Sequence, residues 1–291
     1  KLLRALGVVN LDDNARLCHA STVPALGASF GRGAMTLAVQ DLYNSDVIVI
    51  MGSNMAENHP VGFRWVLKAK EERGAKLIVV DPRFTRSASA ADKYVPIRPG
   101  TDIVFLGALV NYILQNDLYF KEYVVNYTNA PFLVNENFKD TEDLEGLFVG
   151  YDPEKGAYDR KLWDYEREEL VPASQEPKTL TERVAQKLRV GRPKRDDTLQ
   201  HPRTVFQILK RHYSRYTPEM VEKICGVSKE DFLYVAKTLA EVGRPDKTAA
   251  FVYSMGWTQH TVGAQIIRAA TILLGLLGSV GRPGGGIAAM R

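Results

Sequence analysis

The fold of this chain is decided by Asp46-Val-Ile-Val-Ile-Met-Gly52, a continuous β-branched run typical of a strand buried on both faces of a parallel sheet. A helical pattern follows, which begins at Pro60 and ends at Gly74. The next apolar run, Ala75-Lys-Leu-Ile-Val-Val-Asp81, predicts a second buried strand. Strand, helix and strand in this order predict a βαβ unit with a right-handed crossover.

The same alternation continues along the rest of the chain. Further elements are predicted at 93–97 (strand), 103–115, 202–213, 218–224 and 229–239 (helices), 248–253 (strand) and 261–277 (helix). Residues 281–286, which read Gly-Arg-Pro-Gly-Gly-Gly, are expected to form a flexible turn that runs toward a tail of small residues. The whole pattern predicts an α/β fold, a Rossmann-like, mostly parallel sheet with helices on both faces.

Residues from about 135 to 200 differ in composition from the rest of the chain. Charged residues are dense there, and Pro and Gly are scattered among them. We interpret this stretch as a charged surface insertion with little core of its own, within a single domain that spans residues 1–291. A docking surface for a partner subunit is the alternative interpretation of the same stretch.

The composition is that of an ordinary soluble globular protein, with 291 residues of which 45% are hydrophobic and 25% are charged. The net charge of +4 is small and the basic residues are interleaved with acidic ones, so no nucleic-acid partner is expected. The two cysteines, Cys18 and Cys225, are too few for a zinc site or an iron–sulfur cluster, each of which needs about four ligands. No apolar run reaches the roughly 18 residues of a membrane span.

The first loop of interest follows the first strand, where open α/β sheets bind their ligands. Its polar and glycine residues include Gly52, Asn54, Glu57 and His59. A glycine lets the backbone approach a phosphate, and the helix that begins at Pro60 favours negative charge at its N-terminus. The loop lacks the G-x-G-x-x-G pattern, which disfavours a common nicotinamide enzyme. Packing of the loop itself is the alternative role of Glu57 and His59.

Other strand-end loops carry similar residues. Asp81 stands at the tip of the second strand, where it could accept hydrogen bonds from a ribose or from the N–H edge of a guanine. Arg83 could pair with a phosphate, and the alternative role of Asp81 is to cap the turn before Pro82. The remaining candidates are Pro82, Gly100, Asp102, Met255, Gly256, Trp257, Gln259 and His260. Several such loops together predict a dinucleotide-like ligand.

Cys18 lies in a polar, glycine-rich neighbourhood, whereas Cys225 has the surroundings of a core residue. A thiolate exposed near position 18 could bind a soft metal. The residue types alone leave open whether Cys18 is a ligand or buried filler.

Two motifs, Ala15-Arg-Leu-Cys18-His19 and Phe30-Gly-Arg-Gly33-Ala-Met35, stand beside the strand-end loops. Together with these loops they closely resemble the catalytic alpha subunit of molybdenum- or tungsten-dependent formate dehydrogenases, of the dimethyl sulfoxide reductase family. The other matching segments are 52–60, 79–83, 97–102, 256–260 and 285–291. The resemblance covers essentially the whole chain, and the charged insertion is most similar to the respiratory and periplasmic branch.

The resemblance implies a bis-molybdopterin guanine dinucleotide cofactor with Mo or W, and this chain would hold one of its two guanine dinucleotides at the strand-end loops. It implies that Cys18 is the protein ligand of the metal, where many relatives carry selenocysteine. His19 would be the neighbouring acid/base that accepts a proton, and Arg291 the cation that holds the formate carboxylate. The implied reaction is the reversible two-electron oxidation of formate to CO2.

The resemblance also implies further parts and partners. A 4Fe–4S cluster belongs to an N-terminal part, and a cap domain to a C-terminal part, that this chain is expected to lack. We therefore expect the remainder of the alpha subunit and an iron–sulfur electron-transfer subunit as partners, and no formate turnover by this chain alone. The periplasm is the expected compartment, with the cytoplasm as the alternative. Two other functions stay open: a non-catalytic scaffold that binds a guanine dinucleotide, and a related metal–pterin oxidoreductase with another substrate.

Overall fold

The computed structural model describes residues 1–12, 14–168 and 191–290 of the chain. The chain forms two compact units, one made of Lys1–Tyr123 with Tyr213–Arg291 and the other of Val124–His212. Within the described residues, no helix combines the length and the apolar character that crossing a membrane requires.

The first unit, called the sheet unit below, is built on five parallel strands. The strands of the chain are β1 (Val47–Met51), β2 (Lys76–Val80), β3 (Lys93–Val95), β4 (Tyr151–Asp152), β5 (Ala157–Tyr158), β6 (Ala249–Tyr253) and β7 (Gly286–Ala289). In the sheet they stand in the order β3-β2-β1-β6-β7, so that the order reverses between β1 and β6. Val49 of β1 lies opposite Ile78 on one side and Phe251 on the other. This arrangement confirms the predicted Rossmann-like parallel sheet.

Helices alternate with the strands, close to the predicted bounds. They are α1 (Leu2–Ala5), α2 (Asn14–Cys18), α3 (Thr22–Phe30), α4 (Met55–Asn58), α5 (Pro60–Arg73), α6 (Arg86–Ser89), α7 (Asp102–Gln115), α8 (Lys121–Tyr127), α9 (Val205–Tyr213), α10 (Pro218–Cys225), α11 (Lys229–Ala240), α12 (Met255–Thr258) and α13 (Gly263–Leu276), with 3-10 turns at Val39–Asn44, Thr141–Leu144 and Arg160–Trp163. Pro60 opens α5 and Gly74, with a φ of +69°, ends it.

Both faces of the sheet are covered. Every residue of β1 and of β6 is buried, as the continuous apolar runs predict. On one face, Phe63 and Val66 of α5 pack in one apolar cluster with Ile48 and Leu77. On the other face, Val49 is equally buried. The fold class is therefore the predicted α/β class.

The expectation of a tail after residues 281–286 is wrong, because Gly286–Ala289 forms the edge strand β7. Ile287 lies opposite Phe251 of β6 and is fully buried. On its other edge, the Ile287 N–H donates to Thr36 Oγ1 (2.9 Å), and its carbonyl accepts from the Thr36 N–H (3.0 Å). The sequence pattern misses this strand because its small residues lack β-branched periodicity and its partners lie far along the chain.

The second unit, Val124–His212, is described over residues 124–168 and 191–212. Its strands β4 and β5 form a short antiparallel pair, and single bridges such as Leu133↔Thr204 connect its loops. Val134 and Phe206 are among its few buried apolar residues in the described ranges. The predicted insertion, 135–200, lies within this unit, and its residues 169–190 lie outside the described ones. That the chain is a single domain stays a prediction.

Candidate cofactor-binding and active site

Two glycines meet where the strand order reverses, at the carboxyl ends of β1 and β6. The Gly52 carbonyl accepts hydrogen bonds from the backbone N–H groups of Ser254 (3.1 Å) and Gly256 (3.0 Å). A Cβ on Gly256 would lie 2.6 Å from the Gly52 Cα, and one on Gly52 would lie 2.7 Å from Cδ1 of Trp257. Gly52 also has a φ of +74°, in the left-handed region. Glycine is therefore required at both positions, at the point of an open α/β sheet where ligands bind.

A cavity of about 510 Å³ opens at this edge of the sheet, and we call it the strand-end cavity. Ten predicted site residues line it: Cys18, Gly52, Asn54, His59, Asp81, Pro82, Asp102, Met255, Gly256 and His260. Five lining residues were not predicted: Ser53, Asn58, Val80, Pro99 and Ser254. The volume is within the usual range of small-molecule and cofactor sites. The sheet thus brings together loops that are far apart in the sequence.

Two carboxylates in this lining have unusual environments. Asp81 follows β2 and accepts a hydrogen bond from the Arg83 backbone N–H (2.8 Å). Asp102 is buried at the start of α7 and accepts a hydrogen bond from Trp257 Nε1 (3.2 Å). Burial raises the pKa of both carboxyls, although Arg83 and His260 respectively oppose that shift. Ionised carboxylates only accept hydrogen bonds, which suits them to ribose hydroxyls or to the N–H edge of a guanine.

The loop after β1 is tied to α6 by side chains. Asn54 Oδ1 accepts a hydrogen bond from Ser87 Oγ (3.0 Å), which itself accepts one from the Ala56 N–H (2.9 Å). Glu57 forms an ion pair with Arg86 (3.5 Å) and accepts a hydrogen bond from Asn54 Nδ2. Glu57 is absent from the lining of the strand-end cavity, and its contacts are those of the loop-packing alternative. A cofactor-binding role for Glu57 stays a prediction.

Trp257 lies beneath the strand-end cavity and not at its surface. Its side chain is fully buried and stacks on Tyr253, with ring centroids 4.9 Å apart. Other predicted residues that do not line this cavity are Arg83, Gly100 and Gln259. Gly100, with a φ of +82°, turns the chain just before α7. The structure thus divides the predicted cofactor residues into a lining group and a supporting group.

Ser53 is the lining residue whose omission from the sequence prediction matters most. Its side chain is only 7% exposed, and its Oγ has no hydrogen-bond partner among the described residues. A buried hydroxyl left in that state is costly, so this atom is suited to a ligand that supplies the missing partner. The signal was present in the sequence, because Ser53 directly follows Gly52 at a strand end.

Cys18 and His19 are adjacent in the sequence but line different cavities. Cys18 is the last residue of α2, is partly exposed and lines the strand-end cavity. His19 is buried and lines a second cavity of about 960 Å³. His59 lines both cavities. The Cys18–His19 pair therefore stands where the two cavities approach each other.

The His19 ring has polar partners on both of its nitrogens. Nε2 lies 2.9 Å from the Met290 carbonyl oxygen, and Nδ1 lies 3.0 Å from Thr22 Oγ1. Thr22 Oγ1 in turn lies 2.8 Å from the Tyr253 hydroxyl. Arg291, the third predicted catalytic residue, follows Met290 directly and lies outside the described residues.

Comparisons with known proteins identify the family of the chain. The family model described as molybdopterin oxidoreductase matches residues 1–291. The formate dehydrogenase subunit alpha of Megalodesulfovibrio gigas is 50% identical over 289 residues, which are 99% of this chain and 26% of that protein. The formate dehydrogenase-O major subunit of Escherichia coli (strain K12) is 50% identical over 291 residues, which are 100% of this chain and 26% of that protein. The F420-dependent formate dehydrogenase subunit alpha of Methanocaldococcus jannaschii is 31% identical over 287 residues.

A solved structure, acetylene hydratase from Pelobacter acetylenicus, has a similar fold. The TM-score is 0.51 at 20% identity, over 89% of this chain and 25% of that one. At this identity the likeness supports the α/β fold alone. The chain spans 26% of the length of the two bacterial formate dehydrogenase subunits just named. Because the family model matches every residue of the sequence, the chain belongs to the molybdopterin oxidoreductase family.

Proposed function

We propose that this chain is the central cofactor-binding part of a formate dehydrogenase alpha subunit, which oxidises formate to CO2 at a molybdenum or tungsten centre. The observation that carries the proposal is that Cys18, Asp81 and Asp102 line one cavity at the strand ends. A thiol suited to a soft metal and two carboxylates suited to a nucleotide are thus neighbours. The substrate is proposed from the names of relatives at 50% identity.

The residues of the strand-end cavity fit a molybdopterin guanine dinucleotide. The Gly52–Gly256 contact packs the loops after β1 and β6 against each other, so that both loops reach the lining of one cavity. The partly exposed Cys18 thiol offers the single protein ligand that the metal would need from this chain. Ser53 Oγ, buried and without a partner among the described residues, offers one more hydrogen-bonding atom. These donors and acceptors support the proposal that the cavity binds such a cofactor.

The family resemblance gives Cys18, His19 and Arg291 separate roles in the reaction. When bound, the metal–pterin group supplies the redox chemistry, taking up the two electrons that formate loses. Cys18 would hold the metal, and Arg291 would hold the formate carboxylate through two parallel hydrogen bonds. His19 would accept the proton, so that formate yields CO2, one proton and two electrons.

The rest of the enzyme is part of the same proposal. Because the chain spans 26% of its bacterial relatives, we assign the second pterin site, a 4Fe–4S cluster and the docking of an electron-transfer subunit to the remainder of the protein. The periplasm is the proposed compartment, on the similarity of the charged insertion to the respiratory branch.

Analysis of the assembled enzyme that contains this chain tests the proposal. We expect Mo or W together with guanine nucleotide in the purified protein, and formate-dependent reduction of a viologen dye. Guanine nucleotide without either metal would instead support the non-catalytic scaffold. Metal and nucleotide without formate oxidation would support a related oxidoreductase with another substrate.

Replacement of the proposed metal ligand gives the sharpest variant. Cys18→Ser should abolish formate oxidation and lower the metal content, because a hydroxyl is a poor ligand for a soft metal. Cys225→Ser is the matched control, since Cys225 is buried and its thiol donates to the Thr101 carbonyl (3.5 Å), which a serine hydroxyl can also do. Full activity of Cys18→Ser would contradict the assignment.

A further inference from the structure

A row of hydrogen bonds connects the His19 ring to strand β6 of the sheet. Thr22 is the first residue of α3, and Tyr253 is the last residue of β6. Their hydroxyls lie 2.8 Å apart, and the Thr22 hydroxyl lies 3.0 Å from His19 Nδ1. On the other side of the ring, Nε2 lies 2.9 Å from the Met290 carbonyl oxygen. None of these partners was predicted from the sequence.

The directions of these hydrogen bonds follow from the chemistry of their ends. A carbonyl oxygen only accepts, so His19 Nε2 carries a hydrogen and donates it to Met290. In the neutral ring Nδ1 is then an acceptor, and the Thr22 hydroxyl donates to it. Thr22 Oγ1 is left free to accept from the Tyr253 hydroxyl. One set of directions therefore satisfies all three hydrogen bonds with a single tautomer of His19.

The row is rigid because its members are buried. His19 and Thr22 are 2% and 3% exposed, and Tyr253 is fully buried in β6. Burial raises the pKa of Tyr253 to about 12, so the hydroxyl keeps its hydrogen and remains a donor near neutral pH. The hydrogen bonds thus connect the orientation of the His19 ring to a fully buried side chain of the sheet.

The Met290 end is fixed independently of His19. Its carbonyl also accepts a hydrogen bond from Ser254 Oγ (2.9 Å), and its N–H donates to the Tyr253 carbonyl (2.9 Å). Loss of the Thr22 hydroxyl therefore removes the hydrogen bond at Nδ1 of the His19 ring and leaves the backbone before Arg291 in place. A change at Thr22 can therefore be tested for its effect on the His19 ring without disturbing the Met290 backbone.

We propose that Thr22 and Tyr253 are positioning residues that hold His19 in one tautomer and one ring orientation for its reaction with the substrate. The proposal rests on the proposed function, in which His19 accepts the proton released from formate. In this tautomer the accepting atom is Nδ1, and the Thr22 hydroxyl then turns so that it accepts from the new Nδ1–H and donates its own hydrogen to the Tyr253 hydroxyl oxygen. Thr22 acts directly on the ring, and Tyr253 acts through Thr22. Neither residue touches the substrate or the metal in this proposal.

The test uses the assembled enzyme with Thr22→Val, Thr22→Ser and Tyr253→Phe. For Thr22→Val we expect kcat for formate to fall about 10- to 100-fold, which is less than the roughly 100- to 10,000-fold contribution of a positioned acid/base group, because the His19 ring itself is retained. The KM for formate should stay unchanged, because the Met290 backbone is still held by Ser254. Thr22→Ser should retain the wild-type kcat, since it keeps the hydroxyl. Tyr253→Phe should lie between the two, because the direct partner of the ring remains.

A second readout follows the ring itself and needs no turnover. Labelling of His19 with diethyl pyrocarbonate, measured by peptide mass spectrometry, should be slow in the wild type and in Thr22→Ser. It should become several-fold faster in Thr22→Val, because Nδ1 has lost its hydrogen-bond donor. Two matched controls should label His19 as slowly as the wild type. They are Thr271→Val, which removes a buried hydroxyl bonded to Ser29 Oγ (3.1 Å), and Tyr123→Phe, which removes a hydroxyl bonded to the Val280 carbonyl (2.7 Å).

Several results would overturn the proposal. They are unchanged labelling of His19 in Thr22→Val, faster labelling with an unchanged kcat, and a Thr22→Ser variant as impaired as Thr22→Val. If Thr22→Val fails to assemble, Tyr253→Phe decides by the same two readouts. A wild-type enzyme that does not oxidise formate would refute the proposed function, whereas the labelling series would still report whether Thr22 and Tyr253 fix the ring.

Discussion

Asp102 of the sheet unit and Asp196 of the Val124–His212 unit have opposite environments. In the sheet unit, Asp102 is buried beside the strand ends, and burial raises its pKa. In the second unit, Asp196 is close to the surface and accepts hydrogen bonds from the Thr198 hydroxyl (2.6 Å) and from the N–H groups of Gln200 (3.0 Å) and His201 (2.8 Å). These bonds, led by that of Thr198, lower its pKa to about 2. An aspartate thus lines a candidate ligand site in the sheet unit, whereas an aspartate in the second unit holds a loop together by accepting its hydrogen bonds.

The largest effect is expected at the glycine contact of the sheet unit. Gly52→Ala should lower the free energy of unfolding by about 3 kcal/mol, because it combines a left-handed φ with a Cβ that meets Trp257. Urea unfolding followed by tryptophan fluorescence measures the change. The expected loss of unfolding free energy arises because the loops after β1 and β6 are tightly packed against each other.

Gly74→Ala is the matched control for this prediction. Its φ of +69° resembles that of Gly52, but an added Cβ meets no atom of the described residues within 4 Å. It should therefore cost only the backbone strain, about 1 kcal/mol. If the two variants lose the same free energy of unfolding, the Cβ added at position 52 does not clash with Trp257.

A smaller effect, dependent on pH, is expected for Asp102→Asn. A carboxyl whose pKa is raised binds its proton more tightly in the folded state, so its contribution to stability falls as pH rises from its ordinary value of 3.8 through the raised value. Asparagine does not titrate and can still accept from Trp257 Nε1. The stability of the variant relative to the wild type should therefore increase with pH over that range, in urea unfolding at a series of pH values. A difference that does not vary with pH would contradict the burial of an ionised Asp102.

The smallest effect, with the opposite sign, is expected for Asp196→Asn. A carboxyl whose pKa is lowered stabilises the folded state above its ordinary value of 3.8, and this stabilisation is lost as pH falls toward about 2. Since the loop is exposed, the change should be local. Hydrogen exchange at Gln200 and His201 should be faster in the variant than in the wild type at pH 6, and the difference should shrink as pH falls toward 2. If the variant and the wild type exchange at the same rate at pH 6, Asp196 does not stabilise this loop and the contrast with Asp102 is wrong.

Much of the sheet was predictable because its central strands are continuous apolar runs. Val47–Met51 and Lys76–Val80 have this pattern, and Pro60 and Gly74 mark the ends of the helix between them. The edge strand Gly286–Ala289 was not predictable in the same way. Its small residues carry no periodic signal, and it is a strand because the neighbouring strand and Thr36 satisfy its backbone groups.

The candidate site was predictable as a set of residues but not as an arrangement. Loop position alone indicated Asp81, Asp102 and His260, because parallel strands present their carboxyl ends at one edge. Loop position could not distinguish Trp257 from the residues that line the cavity. Trp257 is not in the lining and instead donates a hydrogen bond to Asp102. It also missed Ser53, whose significance depends on burial without a partner among the described residues.

The sequence by itself determined the α/β class, the central strands, the glycines at the strand ends and the family, because these depend on local periodicity and on motif spacing. Only the tertiary structure decided which of these residues share a cavity, and that Cys18 and His19 line different ones. It also decided that His19 is held by Thr22, Tyr253 and Met290. The physical reason is that burial and hydrogen bonding depend on contacts between residues far apart in the sequence, such as His19 and Met290. No local sequence pattern encodes such contacts.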